Sequence, residues 1–291
     1  MPDAYPFLKG HGTENDFVLL PDHDGAVHGG LDPTRVRALC DRRAGIGGDG
    51  VLRVIRTTAG PVAGEAAGQD AEWFMDYRNS DGSVSEMCGN GVRVFARHLL
   101  ERGLVDPGRP VPVATRGGVK VVTAAGDPLT GDLTVDMGPA ELLGDTKVAV
   151  GSTTWPARHV DMGNPHAVAF VDSLDPAGPV GPLREPPTHD PVTYPHGVNV
   201  EFVVRRGPRH VAMRVHERGS GETRSCGTGA CAVMVAAALA DGAVAEGTLP
   251  AADVAYRVDV PGGALTVTWT AAGRVLLTGP ALVVAEGTTT L

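Results

Sequence analysis

The 291-residue chain has little of what marks proteins that bind nucleic acids or membranes. It contains no basic run, and 25 Lys and Arg residues against 34 Asp and Glu residues give a formal net charge of −9. This acidic balance argues against a general nucleic-acid or anionic-membrane surface. The opening MPDAYPFLKGHG lacks a charged segment followed by an apolar one. We therefore expect no signal peptide, no membrane partner and a cytoplasmic location.

Aromatic residues and cysteines are also scarce. Aromatic residues make up 4% of the chain against 42% apolar residues overall, so small aliphatic side chains must build the cores. The four cysteines are Cys40, Cys88, Cys226 and Cys231. Four would suit two disulfides in a secreted protein, but a cytosolic context favours reduced thiols. The length is typical of two domains of about 150 residues each.

The longest apolar stretch is SCGTGACAVMVAAALA, which spans Ser225–Ala240. It is shorter than the ~20 residues that a membrane-spanning helix needs. Because it is apolar on all faces, it predicts a helix buried on every side. Cys226 stands directly before a Gly-Thr-Gly turn, where exposed N–H groups and the helix dipole favour an anion. We expect its thiol to ionise near neutral pH, although a buried structural cysteine is the simpler alternative.

A second stretch of the same kind indicates a duplicated scaffold. MCGNGVRVFARHLL at Met87–Leu100 again places a cysteine, Cys88, before Gly-x-Gly and a helical pattern. The two cysteines are 226 − 88 = 138 residues apart, close to half of the chain. Asn15 and Asn164 each stand near a predicted strand, 73 and 62 residues before the two cysteines. Two matched thiol helices suggest one central site shared by two halves.

The rest of the sequence predicts short strands separated by Gly, Pro and Asp turns. A helix is expected over Asp32–Arg42, with Asp32 as its N-cap and Pro33 at its first position. Ala59–Ala71 is expected to be a mobile loop and proline-rich Asp175–Pro191 an irregular surface loop. Strands are predicted at Phe17–Leu20, Val51–Arg56, Glu72–Arg78, Val111–Ala114, Val119–Thr123, Leu133–Met137, Arg158–Met162, Ala167–Val171, Val198–Val204, His210–His216, Ala255–Val260, Leu265–Trp269, Val275–Leu277 and Leu282–Ala285.

One glycine pattern resembles a dinucleotide-binding motif but has its neighbouring elements in the reverse order. Gly45, Gly47 and Gly50 fit G-x-G-x-x-G. The dinucleotide fingerprint requires a strand before this pattern and a helix after it, whereas here the predicted helix comes first. The pattern therefore gives little support for nucleotide binding.

Two thiols at helix starts leave three kinds of chemistry to consider. Structural zinc sites use closely spaced cysteine pairs, but Cys226 and Cys231 are five residues apart and Cys88 has no close second cysteine. A single cysteine nucleophile with His166 as its base would suit acyl transfer, but it leaves the second thiol helix without a role. Two-base proton exchange uses both thiols, on opposite faces of one stereocentre.

The third hypothesis requires neither a cofactor nor a metal. Two helix starts can hold a substrate carboxylate while charge develops at its α-carbon. A pyridoxal Schiff base would need a lysine, and none of the three lysines stands in a convincing motif. These are Lys9, Lys120 and Lys147.

These motifs together resemble the diaminopimelate epimerase family. The similarity runs from about Lys9 to the C-terminus, and it is most specific in the paired cysteine motifs and ERGSGET. The matching segments are KGHGTENDF, NSDGS, MCGNG, GNPH, GVNVEF, ERGSGETRSCGTGAC and TGPA.

The resemblance implies a fold and an activity. Such enzymes are cofactor-independent, interconvert LL- and meso-diaminopimelate on the route to lysine and peptidoglycan, and form homodimers. The implied fold is α/β (α+β), with two pseudo-symmetric lobes, each a curved, mostly antiparallel sheet wrapped around a central apolar helix. The last strand would return to the first lobe, so the expected lobes are 1–132 with 280–291, and 133–279.

The resemblance also implies residue roles. Cys226 would be the base toward the LL isomer and Cys88 the acid, with exchanged roles in reverse and coupled titrations. His166 and Glu217 match positions that tune the thiols, and the planar guanidinium of Arg218 suits carboxylate recognition. Substrate contacts are expected from Asn15, Asn79, Asn164, Asn199, Glu217 and Arg218, and from the backbone N–H groups of Gly89, Asn90, Gly227 and Thr228. Cys40 and Cys231 are expected to be packing residues.

Two departures and several rival hypotheses remain. Many relatives carry Gln where this chain has Gly50, so backbone, water or a neighbour such as Glu14 must replace a substrate contact. The Ala59–Ala71 connection is also longer than expected. A proline racemase-like enzyme would usually carry His in place of Asn90 and lack ERGSGET. The rival of another class is a non-catalytic amino-acid-binding protein or a thiol redox sensor. Both the epimerase hypothesis and this rival predict that Cys88 and Cys226 can form a disulfide when oxidised.

Overall fold

The computed structural model describes residues 4–291, so Met1–Asp3, with which the expected first lobe begins, lie outside the described residues. The chain divides into two compact units. Lobe 1 comprises the residues up to Val135 together with Gly279–Leu291, and lobe 2 comprises Asp136–Thr278.

Lobe 1 contains two helices and a ladder of eight strands, the last of which extends into lobe 2. The helices are α1 (Pro33–Cys40) and α2 (Gly89–Glu101). The strands are β1 (Tyr5–Gly12), β2 (Asn15–Pro21), β3 (Gly50–Arg56), β4 (Trp73–Asn79), β5 (Val111–Ala114), β6 (Lys120–Ala125), β7 (Asp132–Pro139), which crosses the lobe boundary, and, from the C-terminal segment, β18 (Leu282–Thr289).

Lobe 2 is built around one helix, α3 (Gly227–Ala240). Its strands are β8 (Glu141–Val150), β9 (Thr153–Asp161), β10 (Pro165–Phe170), β11 (Thr188–His189), β12 (Asn199–Gly207), β13 (His210–Glu217), β14 (Gly221–Thr223), β15 (Val254–Val260), β16 (Gly263–Trp269) and β17 (Arg274–Gly279).

The two lobes repeat one pairing scheme. The ladder β18-β1-β2-β3-β4-β5-β6-β7 is antiparallel except at β2–β3 and β4–β5, which are parallel. The ladder β8-β9-β10-β12-β13-β15-β16-β17 is antiparallel except at β10–β12 and β13–β15. Parallel neighbours need a crossover, and α2 and α3 supply it at the same place in each ladder. The predicted internal repeat and the mostly antiparallel sheets are therefore confirmed.

Both central helices are more deeply buried than surface helices. Almost every residue of α3 is buried, as its apolar sequence predicts. Helix α2 is buried from Gly89 to Leu100, although its sequence predicts one apolar face only. The polar face is tolerated because it is partnered: Arg97 donates to the carbonyl oxygens of Ala281 (3.0 Å) and Pro128 (2.6 Å). Within residues 4–291, no helix has the length and apolar content needed to cross a bilayer.

Helix α1 forms as predicted, and two loop predictions need correction. The Asp32 carboxylate caps α1 by accepting from the Thr34 N–H at 2.6 Å. The 59–71 connection is a series of turns, and its Ala59 and Val62 pack against Phe74 in a buried cluster, so it is anchored rather than mobile. The proline-rich 175–191 segment contributes buried side chains, including Val180 and Leu183, to the lobe 2 core, and it contains β11.

Candidate active site

In lobe 1, Cys88 caps the N-terminus of α2. Its backbone is extended (φ −143°, ψ 121°), and its Sγ accepts the Gly91 N–H at 3.4 Å. This is the position where Ser, Thr, Asp or Asn usually accepts an N–H from the first turn. The thiol in turn donates to Asn15 Oδ1 at 3.5 Å, and the side chain is partly exposed.

Asn15 is held in one orientation by its neighbours. Its Nδ2 donates to Asp49 Oδ2 at 2.8 Å, and its Oδ1 accepts from Asn90 Nδ2 at 3.2 Å. Asn90 Oδ1 accepts from Arg93 Nη2 at 2.8 Å. The Asn15 oxygen therefore faces the Cys88 thiol. We call Cys88, Asn15 and Asn90 half-site 1.

Asn79 and Gly50 lie opposite each other across β3 and β4, near the same edge. The Asn79 Nδ2 donates to Ser83 Oγ at 3.0 Å. A Cβ on Gly50 would lie 2.5 Å from the Arg78 carbonyl oxygen and 2.6 Å from Tyr77 Cε2. The position accommodates glycine alone without displacing backbone, which explains why the expected Gln is absent.

In lobe 2, Cys226 caps α3 with the same geometry. Its backbone is extended (φ −117°, ψ 116°), its Sγ accepts the Gly229 N–H at 3.3 Å, and Thr228 Oγ1 lies 3.5 Å away. Burial raises the pKa of the Cys226 thiol well above its usual value, and the nearby carboxylates of Glu217 and Glu201 raise it further. Burial and the two carboxylates therefore oppose the effect of the helix N-terminus, and they do not support the expectation of a thiolate near neutral pH.

Three ionisable side chains lie beneath Cys226. The His166 Nδ1 is 2.6 Å from Glu201 Oε1, and both side chains are fully buried. The His166 Nε2 is 3.1 Å from Asn164 Oδ1. Glu217 accepts hydrogen bonds from Thr223 Oγ1 and from the Cys226 thiol, and burial raises the pKa of its carboxyl. We call Cys226, His166, Glu201 and Glu217 half-site 2.

Glu201 is the residue of this half-site that the sequence analysis missed. It stands between Val200 and Phe202, in a strand whose other residues from Asn199 to Val204 are uncharged and buried. A single acidic residue inside an apolar strand was the available signal, because charged side chains are almost never fully buried without a partner.

Arg218 and Asn199 are joined at the end of β13. The Arg218 N–H donates to Asn199 Oδ1 at 2.9 Å, which fixes the amide of Asn199. The Arg218 side chain is exposed, and its Nη1 lies 3.4 Å from the His196 carbonyl oxygen. Its guanidinium is thus anchored at one edge and accessible at the others.

The remaining predicted residues lie in the first turns of the two helices. Gly89 and Asn90 begin α2, and Gly227 and Thr228 begin α3. First-turn N–H groups have no acceptor within their own helix and lie at the positive end of its dipole. Each half-site can therefore hold one anionic group beside its thiol.

The other two cysteines lie in apolar surroundings. Cys231 is buried within α3. Cys40 ends α1, and burial raises the pKa of its thiol to about 11. Within residues 4–291, no cluster of three or more His, Cys, Asp or Glu side chains is arranged to hold a metal ion.

Solved structures of low sequence identity share this fold. A PhzF-family phenazine biosynthesis protein of Bacillus anthracis superposes with a TM-score of 0.69 at 14% identity, over 99% of both chains. A hydroxyproline epimerase of Agrobacterium vitis superposes with a TM-score of 0.64 at 16% identity, over 99% of this chain and 94% of that one. The fold is thus the two-lobed architecture of PhzF-type proteins and proline racemase-like epimerases.

Sequence comparison narrows this class to one family. A profile of diaminopimelate epimerase matches residues 7–143 and 158–284. The diaminopimelate epimerase of Streptomyces coelicolor is 63% identical over 292 residues, which cover 99% of this chain and 96% of that protein. That of Thermobifida fusca is 49% identical over 97% of this chain and 96% of its own length. The chain belongs to the diaminopimelate epimerase family, whose members are isomerases.

Proposed function

We propose that this protein interconverts LL- and meso-diaminopimelate by exchanging the proton on one α-carbon between two thiols. The observation that carries the proposal is the repeated half-site: each lobe caps its buried central helix with a cysteine whose Sγ accepts the third N–H of that helix. The identity of the substrate is inferred from membership of the diaminopimelate epimerase family.

The two thiols take complementary roles. In the direction from the LL isomer, the Cys226 thiolate removes the α-proton and the Cys88 thiol protonates the opposite face. In the reverse direction the roles are exchanged. General acid–base assistance of this kind contributes typically ~10²–10⁴ in rate.

Cys226 must lose its proton before it acts as a base, and Glu217 is placed to accept it. Its carboxylate accepts a hydrogen bond from the thiol, and its raised pKa brings its basicity closer to that of the sulfur. Glu217 thereby reduces the cost of forming the thiolate when substrate enters. His166 is held by Glu201 in the same half-site, and we assign it a role in tuning the thiol.

Substrate recognition divides between backbone and side chains. The first-turn N–H groups of Gly89, Asn90, Gly227 and Thr228 hold the carboxylate at the reacting carbon, where negative charge grows as the proton leaves. The distal amino-acid group contacts Asn15, Asn79, Asn164, Asn199 and Arg218, and the Arg218 guanidinium pairs with its carboxylate.

The proposal extends to the pathway, the location and the assembly of the enzyme. The reaction needs no cofactor, because thiols alone move the proton. The enzyme acts in lysine and peptidoglycan-precursor biosynthesis, in the cytoplasm, as a homodimer.

Activity of the purified chain tests the proposal. Incubation with LL-diaminopimelate under reducing conditions is expected to yield meso-diaminopimelate, and Cys88→Ala and Cys226→Ala are each expected to abolish this. L-Proline serves as the control substrate, since a proline racemase-like activity would act on it instead. If no meso isomer forms, or if either alanine variant retains full activity, the proposal is wrong.

A further inference from the structure

The two half-sites differ in what lies beneath their helix starts. In lobe 1 the parallel pairing of β2 with β3 sets Phe17 opposite Gly50. In lobe 2 the parallel pairing of β10 with β12 sets His166 opposite Asn199. By the repeated ladder, Phe17 is the counterpart of His166. Leu52 and Glu201, which stand two residues further along β3 and β12, are then counterparts as well.

Contacts at the helix starts support this correspondence independently. A Cβ on Gly91 would lie 3.3 Å from Leu52 Cδ2 and 3.6 Å from Phe17 Cζ. A Cβ on the matching Gly229 would lie 2.7 Å from Glu201 Oε1. The same place under the helix is therefore filled by two apolar side chains in lobe 1 and, in lobe 2, by the carboxylate of Glu201, which His166 contacts.

Glu201 lies close to the thiol of its half-site. The Cβ position of Gly229 is 2.7 Å from Glu201 Oε1 and 3.2 Å from Cys226 Sγ. These two distances limit the separation of the carboxylate oxygen and the sulfur to under about 6 Å. At that range, charges in a protein interact with energies that shift a pKa by about one unit or more.

The contacts of the couple fix the orientation of His166. Its Nε2 lies 3.1 Å from Asn164 Oδ1. Its Nδ1 lies 2.6 Å from Glu201 Oε1, so both edges of the ring are held. Glu201 Oε2 is buried and has no hydrogen-bonding partner among the described residues. An unpartnered buried carboxylate oxygen costs free energy, so this arrangement is not explained by stability alone.

Other ionisable groups also face this couple and its thiol. Glu217 of β13 contacts Cys226 directly, and His159 of β9 is near enough to His166 for their charges to interact. Glu217 is half-buried at the end of its strand, whereas Glu201 is fully buried behind the helix. Glu201 is therefore the carboxylate whose position does not depend on solvent or substrate.

We propose that Glu201 is a positioning residue of half-site 2: it fixes His166 through Nδ1 and places a buried carboxylate behind Cys226, which favours the protonated form of that thiol. Its catalytic consequence rests on the proposed function, since the resting enzyme would then enter each cycle with a defined proton on the lobe 2 side. Its effect on the thiol itself does not require that function.

Thiol labelling measures this effect without substrate. The rate of iodoacetamide labelling of Cys226 is followed against pH by mass spectrometry, with Cys88 of the same molecule as the internal reference. Glu201→Gln removes the charge and preserves the shape. His166→Phe/Glu201→Leu installs the pair that lobe 1 uses at the same positions, so it leaves no buried group unpartnered. Glu246→Gln is the matched control, because Glu246 is an exposed carboxylate of lobe 2 paired with Arg158.

Both variants that lack the carboxylate are expected to lower the apparent pKa of Cys226, because each removes the carboxylate that lies within about 6 Å of its sulfur. A fall of one unit raises the thiolate fraction about tenfold below the pKa, and the weaker nucleophilicity of a more acidic thiol reduces the gain to about threefold in labelling rate at pH 8. The labelling of Cys88 is expected to stay unchanged in all variants, and Cys226 of Glu246→Gln is expected to label as in wild type. Glu201→Asp keeps a carboxylate, so the pKa of Cys226 is expected to stay raised in this variant.

Three outcomes separate the hypotheses. If Cys226 labelling is unchanged in both variants while circular dichroism reports an intact fold, Glu201 only fills space and the proposal is overturned. If labelling shifts and the acid limb of kcat/KM moves to lower pH in Glu201→Gln, both the proposal and its catalytic consequence hold. If labelling shifts but the wild-type protein has no epimerase activity, the proposed function fails and the role of Glu201 stands.

Discussion

The same glycine-to-alanine substitution at equivalent positions of the two lobes is expected to change their stability by clearly different amounts. Gly229→Ala and Gly91→Ala place the same methyl group at the third position of the two central helices. At Gly91 the methyl group meets Leu52 Cδ2 at 3.3 Å, and this flexible side-chain end can move a few tenths of an ångström. At Gly229 it meets Glu201 Oε1 at 2.7 Å, and that oxygen is held by His166 in a buried contact.

The expected free energies of unfolding follow from these contacts. Replacing glycine by alanine in a helix stabilises by up to about 1 kcal/mol, so Gly91→Ala should lie within about 1 kcal/mol of wild type. Gly229→Ala must displace a carboxylate from a buried pair, and breaking such a pair costs about 3–5 kcal/mol. The helix gain offsets part of this cost, which leaves a net loss of about 2–4 kcal/mol.

Urea unfolding followed by circular dichroism measures the difference directly. Gly229→Ala should lower the unfolding midpoint of lobe 2, while Gly91→Ala leaves lobe 1 nearly unchanged. Adding Glu201→Asp, which shortens the side chain, should recover part of the loss. Equal effects of the two alanine substitutions would refute the reasoning, because they would mean that the carboxylate beneath Gly229 moves as easily as a leucine methyl group.

Three further predictions concern lobe 1. His98 is buried, neither of its ring nitrogens has a hydrogen-bonding partner among residues 4–291, and burial lowers its pKa from 6.5 to about 4. The unfolded chain therefore binds the proton first as pH falls, and up to about 3 kcal/mol of stability present above pH 6.5 is lost by pH 4; His98→Leu should flatten this dependence in urea titrations at pH 7.5 and 4.5. Arg97→Lys should cost about 2–4 kcal/mol in the same assay, because an ammonium cannot serve all three carbonyl oxygens that the guanidinium contacts. Gly50→Ala should lower the melting temperature by the equivalent of about 1–3 kcal/mol without improving KM, since its Cβ meets backbone at 2.5 Å.

The parts of the fold that carry strong apolar patterns were predictable from the sequence. The two thiol helices, α1 with its Asp32 cap and most strands of both ladders are confirmed. Strand β1 was missed because its buried positions include Gly10 and Gly12, which give no alternating side-chain signal, and it is held by its ladder with β2 and β18. Strand β8 was missed for a related reason, since its apolar and polar residues are nearly all partly or fully exposed.

The polar interior was harder to predict, because it depends on partners far away in sequence. Arg97 is buried through carbonyl groups up to 184 residues away. The couple of His166 and Glu201 spans 35 residues and two strands. The expectation of an ionised Cys226 rested on the helix start alone, and the carboxylates that oppose it come from β12 and β13. Short-range sequence patterns could locate the two thiols at their helix starts. The pKa of the Cys226 thiol, in contrast, depends on residues that only folding brings close to it.

The isotopic content of the first products in deuterated water tests two-base exchange most directly. Starting from unlabelled LL-diaminopimelate at low conversion, the meso product should carry one deuterium at the inverted α-carbon, since Cys88 delivers a solvent-derived proton. The remaining LL substrate should stay unlabelled, because the proton taken by Cys226 does not return to the same face as deuterium before release. Deuterium that appears equally fast in substrate and product, or a meso product that keeps the original hydrogen, would contradict the assignment of separate thiols to the two faces.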